Sequence, residues 1–335
     1  MHMVKAVPVE KAVGMALAYD TTVVNMEKAG VHLERGHIIS QDDIELLKNS
    51  GLYVIYVLDE PDNDAFESQI SERIAAASSD LNSIEIKIGK QGSALLFSKF
   101  PGIIYVDAKA LKKINLSNIA LLITRRSYEA VGSGELIGVV DSLPLKIDSK
   151  KLDQLAGELP KAIAVLPFKR NKIGLVITGT EIFNGRKKDL YTDVILEKAK
   201  KYGWNIVFRK LVPDDKGSIV DAIREAKSAG SEAIIVTGGM SVDPTDVTPS
   251  AIRSIWSKII SYGIPIKPTT MSLAAYWEGI PIFGISAGGI YYHELNSIDV
   301  VFTLMMADIK LTRELIAELG NGGLLPNFNP AFKLQ

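Results

Sequence analysis

Two turns in the second half of this chain constrain its fold more than any other feature. One is Val176-Ile177-Thr178-Gly179-Thr180-Glu181. The other runs from Val236-Thr237-Gly238-Gly239-Met240-Ser241 to Asp246-Val247-Thr248-Pro249. Each follows a β-branched apolar run, Ile173 to Ile177 and Ala233 to Val236, and each leads into residues able to open a helix. In an open parallel sheet such turns sit side by side at the carboxyl ends of the strands, where ligands bind. Two glycine-bearing turns with carboxylates near them in sequence point to a site for a phosphate-bearing molecule, with room for a metal ion.

The remaining chemistry is narrowed by what the chain lacks. It has 335 residues and no cysteine, which excludes disulfides, thiolate metal sites and a cysteine nucleophile. The four histidines, His2, His32, His37 and His293, show no ligand spacing. With 38 basic and 39 acidic residues the net charge is −1, so nothing in the charge balance favours a nucleic acid or a membrane surface as partner. Met1 to Asp20 lacks the basic-then-apolar pattern of a signal peptide, and no apolar run is as long as a membrane span. Cytoplasm is the expected location.

Hydrophobic periodicity divides the chain into four expected parts: a mixed α/β unit over 1–80, a β-rich domain over 81–165, an α/β domain over 166–310, and a helix with a tail over 311–335. In the first, Ser40 is placed to cap a helix that Gly51 ends, and Tyr53 to Leu58 reads as a strand. In the second, short runs such as Ile84–Ile88, Ile103–Val106 and Ile119–Thr124 alternate with Gly, Pro, Asn and Ser. Gly132-Ser133-Gly134-Glu135 reads as a hairpin turn, and Pro160 to Arg170 as a connector. From Ile173 strands and helices alternate: strands at Ile173–Thr178, Asn205–Val212, Glu232–Thr237 and Pro281–Ile285, with helices at Asp189–Tyr202, Lys216–Ser228 and Tyr291–Ile309. The predicted fold class is α/β, a mostly parallel sheet flanked by helices, beside smaller N-terminal mixed and β-rich domains.

Candidate site residues follow from that arrangement. Gly179, Gly238 and Gly239 let the backbone reach a ligand without side-chain obstruction, and the hydroxyls of Thr178, Thr237, Ser241 and Thr248 can join backbone N–H groups around an anion. Thr248 is also the expected cap of the helix that Pro249 opens. Asp246 serves either as a cap or as a carboxylate facing the pocket. Of Asp214 and Asp215, which follow the Asn205–Val212 strand, one is expected to cap the next helix and the other to reach the rim. Glu181 is placed to meet a ligand hydroxyl or amide, and Asp189 to cap its own helix. Magnesium needs few carboxylates when the substrate supplies phosphates, so one or two acids such as Asp246 suffice to hold it.

Over Ile173 to about Ile255 this pattern resembles the molybdopterin-binding domain of molybdenum-cofactor biosynthesis proteins of the MoeA, MogA and gephyrin kind. The matching elements are Val-Ile-Thr-Gly-Thr-Glu at 176–181, Gly185-Arg186 through Asp189, Val212-Pro213-Asp214-Asp215, Thr237-Gly238-Gly239-Met240-Ser241-Val242, and Asp246-Val247-Thr248-Pro249. The resemblance implies that Gly238, Gly239 and Ser241 line a pterin-phosphate pocket and that the family's two functional aspartates fall on Asp214 and Asp246. The opening Val9 to Val57, the β-rich middle and the stretch from Gly263 to Gly323 look like a group of MoeA-like proteins of about this length. Three places depart from the pattern. Ile285-Ser286-Ala287-Gly288-Gly289 stands where MoeA proteins have Pro-Gly-Asn-Pro. Asp243 and Thr245 replace a glycine and a basic residue, and the tail after Gly323 carries no cysteine.

The resemblance implies a protein that binds molybdopterin or its adenylylated form, and that inserts molybdate with Mg²⁺ as a molybdotransferase. A non-catalytic cofactor carrier or sensor is the alternative that Asp243 favours. A nucleotide pyrophosphate hydrolase of the CinA type is the third reading, and a homo-oligomer is expected.

Overall fold

A computed structural model describes residues 4–24, 29–31, 33–58, 64–89, 92–240 and 247–329. The chain divides into two compact units. One comprises Met1–Phe97, Val106–Arg125 and Leu136–Ala164, the other Ser98–Tyr105, Arg126–Glu135 and Val165–Gln335.

In the first unit Val4–Pro8 pairs antiparallel with Val54–Leu58, and the helix Gln41–Asn49 packs nearby through Ile44 and Leu47. The start of that helix is fixed by Asp43, whose Oδ2 accepts from the Ser40 amide at 2.8 Å and the Ser40 hydroxyl at 2.7 Å. Further along, Ile84–Ile88, Ala94–Ser98, Leu136–Ser142 and Ala120–Thr124 form a four-stranded sheet in the order given, covered by the helix Glu67–Ser78. A helix at Ala108–Asn115, which the β-rich sequence pattern hides, is capped by Asp107 accepting from the amides of Lys109 and Ala110.

The second unit is built on a six-stranded sheet. We label its strands β1 (Lys172–Thr178), β2 (Asn205–Val212), β3 (Ala233–Thr237), β4 (Lys258–Tyr262), β5 (Ser272–Trp277) and β6 (Ile280–Ile285). The connecting helices are α1 (Thr180–Phe183), α2 (Tyr191–Tyr202), α3 (Lys216–Ser228), α4 (Thr248–Ser254) and α5 (Gly288–Tyr291). The strand order is β2-β1-β3-β6-β5-β4. The first four strands are parallel, and β5 and β4 add antiparallel to β6. Every residue of β3, and every residue of β1 after Lys172, is buried, as parallel strands covered on both faces require. Alternation sorts them. Ile173, Leu175 and Ile177 face one core with Tyr191, Ile195, Ala199 and Tyr202 of α2, while Val176, Ile234 and Val236 face the other with Ile219, Ile223 and Ala226 of α3. Each such aliphatic side chain contributes about 1.5–3 kcal/mol by leaving water. This bears out the expected α/β class.

The chain differs from the sequence expectation in three places of this unit. Ile163–Pro167, expected as connector, is a strand in a three-stranded sheet with Ala130–Val131 and Gly102–Val106. The strands β4 and β5 had no counterpart in the periodicity. The long helix expected over 291–309 is broken into α5, a π-helix at Ile298–Phe302 and a short helix at Thr303–Met306. The break has a polar cause. Asn296 accepts from the Ile298 amide, and the buried Asp299 accepts from the Asn296 amide, Lys198 Nζ at 2.7 Å and the Tyr202 hydroxyl at 2.8 Å. A helix running straight through Asn296 would leave these buried groups without partners. Among the described residues no helix is long and apolar enough to cross a membrane.

Candidate functional site

The strand order places β2 on one side of β1 and β3 on the other, so consecutive crossovers diverge at the β1/β3 boundary. A doubly wound sheet opens its ligand crevice at such a switch point, outside the carboxyl ends of the strands. Register brings the turns level: Ile177 lies opposite Thr237, Thr237 opposite Ile285, and Thr178 opposite Val212. The turns that follow β1, β2, β3 and β6 therefore all leave the sheet at one height.

After β3, Gly238 and Gly239 adopt φ of +84° and +57°. A Cβ on Gly238 would lie 2.7 Å from the Thr178 carbonyl oxygen, and one on Gly239 would lie 2.7 Å from Thr248 Oγ1. Glycine is required at both positions by the close approach of the chain to itself as well as by the left-handed backbone. The Gly238 amide donates to the Ile285 carbonyl at 3.0 Å, and Thr248 Oγ1 donates to the Gly238 carbonyl at 3.0 Å. Thr248 is thus the buried first residue of α4 and ties the glycine turn down. It does not act as the helix cap that the sequence suggested.

After β1, Gly179 takes φ +148° and its amide donates to the Val212 carbonyl at 3.2 Å. Asp214, at the end of β2, accepts from the Thr180 amide at 2.8 Å and the Thr180 hydroxyl at 3.2 Å through one oxygen, Oδ2. Its neighbour Asp215 caps α3 by accepting from the Ser218 amide at 2.8 Å, and that bond holds its carboxyl below the usual range. The two aspartates divide the roles that the sequence left open between them.

Thr178 and Thr237 end adjacent strands, are buried, and keep side-chain hydroxyls with no hydrogen-bond partner among the described residues. An unsatisfied buried hydroxyl costs about 1–3 kcal/mol, which a polar ligand or water at this edge can offset.

Two expected site residues are engaged within the chain. Asp189 Oδ1 accepts from the amides of Tyr191 and Thr192, and Oδ2 from the Thr192 hydroxyl and Arg209 Nη2. Burial opposes its ionisation, yet Thr192 and Arg209 hold the carboxyl below its usual range. Glu181 is exposed on the outer side of the loop and pairs with Lys187 at 3.1 Å. Backbone hydrogen bonding and that ammonium lower its pKa. Ser241 and Asp246 lie outside the described residues. The structure thus brings Thr178, Gly179, Asp214, Thr237, Gly238, Gly239 and Thr248 to one edge and turns Asp189 and Glu181 toward partners of their own. After β6, the turn Ser286 to Gly289 leaves the same edge and opens α5, with the Gly289 amide donating to the Ser286 carbonyl at 3.0 Å.

Residues 174–289 match the family model described as "Probable molybdopterin binding domain", and residues 6–59 match a domain of unknown function. A molybdopterin adenylyltransferase of Pyrococcus furiosus is 30% identical over 92 residues, 28% of this chain and 54% of that protein. A CinA-like protein of Fusobacterium nucleatum is 33% identical over 87 residues, covering 26% of this chain and 21% of the other. A molybdopterin molybdenumtransferase of Staphylococcus epidermidis is 24% identical over 121 residues, 34% of this chain and 29% of that one. The chain therefore spans about half or less of the length of these relatives. The second unit thus contains a segment similar to the probable molybdopterin binding domain and to parts of a molybdopterin adenylyltransferase, a molybdopterin molybdenumtransferase and a CinA-like protein.

Proposed function

We propose that this chain, through its domain of the probable molybdopterin-binding family, binds molybdopterin or its adenylylated form at the β1/β3 edge. The observation that carries the reading is the convergence there of two glycine turns, two unpartnered buried threonine hydroxyls and the Asp214 carboxylate. The Gly179, Thr180 and Gly238 amides are engaged within the chain, and among the described residues the Gly239 amide remains to meet a phosphate without side-chain bulk.

In the finer reading the protein is a molybdotransferase. Among the described residues Asp214 accepts hydrogen bonds through Oδ2 alone, which leaves Oδ1 for a cation. Asp214 and Asp246 would hold Mg²⁺ against the ligand's phosphate, where the ion supplies charge neutralisation for the approach of molybdate. Ser241, Thr248, Glu181 and Asp189 complete the proposed pocket, the last two as rim residues whose present partners are Lys187 and Arg209. A cytoplasmic homo-oligomer divided near 80, 165 and 310 is part of the same proposal.

A second reading, hydrolysis of a nucleotide pyrophosphate, draws on the similarity to CinA-like proteins over this segment. Mass spectrometry of small molecules that copurify with the chain, followed by titration with molybdopterin and with its adenylylated form, tests the choice. Saturable binding of either pterin supports the first reading. Metal-dependent cleavage of a dinucleotide without pterin binding replaces it with the second.

A further inference from the structure

Tyr191 is a buried titratable residue that the proposed pocket does not use. It is the first residue of α2, so it stands where that crossover helix leaves the ligand edge of the sheet. Its ring belongs to the core with Ile195 and Ile177, and only 5% of the residue is exposed. Its amide donates to Asp189 at 2.9 Å, but no described residue forms a hydrogen bond with its hydroxyl. The helix α2 packs against α5, the helix opened by the Ser286–Gly289 turn, so the phenol lies between the chain leaving β1 and the chain leaving β6.

From this geometry we infer that the Tyr191 hydroxyl donates a hydrogen bond to a neutral acceptor, a carbonyl or ring nitrogen, on the heterocycle of the bound ligand. The inference rests on the pterin reading above and adds a contact to the ring. Burial, followed by the nearby Tyr291, Asp189 and Asp214, pushes the phenol's pKa upward, so the group stays protonated and acts as a donor. The same two carboxylates make the spot unfavourable for a bare phosphate and acceptable for an uncharged ring edge. The hydroxyl is the part of this buried residue that stays accessible, so a ligand acceptor takes the place of water there, and a ligand without an acceptor forgoes the bond.

The test is anaerobic calorimetric titration of the full chain and of Tyr191→Phe with molybdopterin and, separately, with inorganic pyrophosphate. We expect molybdopterin affinity to fall roughly five- to tenfold in the variant, with pyrophosphate binding unchanged. A chain carrying 3-fluorotyrosine at 191 keeps the donor and is expected to bind like the wild type. That result separates loss of the hydroxyl from any disturbance of the fold. Equal molybdopterin affinity in wild type and Tyr191→Phe overturns the inference, as does a parallel loss of pyrophosphate binding or a loss in the fluorotyrosine chain. Failure of the wild type to bind molybdopterin defeats the pterin reading and this inference together, whereas wild-type binding that Tyr191→Phe leaves intact defeats the inference alone.

Discussion

Asp214 and Thr180 are joined by three hydrogen bonds across two neighbouring strand ends. Asp214 Oδ2 accepts from the Thr180 amide and hydroxyl, and the Asp214 amide donates back to Thr180 Oγ1 at 3.2 Å. These bonds tie the turn after β1 to the turn after β2, and among the described residues only one oxygen of the carboxylate is engaged. Asp214→Ala is expected to cost at most about 1 kcal/mol of stability, since the pair is exposed, yet to weaken pterin binding tenfold or more. Chemical denaturation paired with ligand titration checks both halves.

The glycine turn makes a different demand. Gly238→Ala places a methyl 2.7 Å from the backbone oxygen of Thr178 at a φ of +84°, where neither backbone can yield cheaply. The expected loss is roughly 2 kcal/mol or more, a fall of about 4–8 °C in the melting of the second unit. Gly134→Ala, at φ +76° but with no neighbour within 4 Å, carries only the backbone strain and is expected to fall by less. Calorimetric melting of the two variants side by side measures the difference.

Thr248→Val keeps the shape of the side chain and removes the donor to the buried Gly238 carbonyl. The expected loss is about 1–3 kcal/mol, whereas Thr248→Ser, which retains the hydroxyl, is expected to lose less. Equal losses in the two variants, read from urea unfolding, would mean that the methyl contact matters more than the hydrogen bond.

The pair Lys198–Asp299 is 5% exposed on each side and predicts strong coupling. Lys198→Met leaves Asp299 buried without its cation, at an expected cost of about 3–5 kcal/mol. Adding Asp299→Asn, which still accepts from Tyr202, is expected to recover part of that loss. A double-mutant cycle reads the coupling directly.

In the first unit Asp43 has a pKa of about 2: burial opposes ionisation, but His37 and Ser40 hydrogen bonds outweigh it. The folded value lies below the ordinary one of 3.8, so its stabilisation is present above about pH 4 and disappears as pH falls toward 2. Asp43→Asn is therefore expected to cost on the order of 1 kcal/mol at pH 6 and progressively less toward pH 2. Melting curves of both chains across that range give the slope.

The sequence made the parallel half of the sheet legible because strands buried on both faces must be continuous apolar runs, and β1 and β3 are such runs. The antiparallel half was hidden for a physical reason. Ser272-Leu-Ala-Ala-Tyr-Trp carries no β-branched residue, and its extended form is fixed by pairing with β6, from Ser272 opposite Ile285 to Trp277 opposite Ile280. The carboxylates were harder to assign. The sequence placed Asp189 at a helix start and Asp214 near the rim but not their partners: β2 presents Arg209 to the first, while the turn after β1 presents Thr180 to the second. Tyr191 gave one faint signal, a tyrosine opening a helix just after a candidate site aspartate. Its burial is a property of the packed core alone.

Hydrogen-exchange mass spectrometry of the chain with and without saturating molybdopterin locates the ligand on the fold. Added protection is expected to concentrate in peptides covering 178–181, 212–215 and 237–248. Protection confined to other segments, or none at ligand concentrations that saturate binding, would contradict that placement.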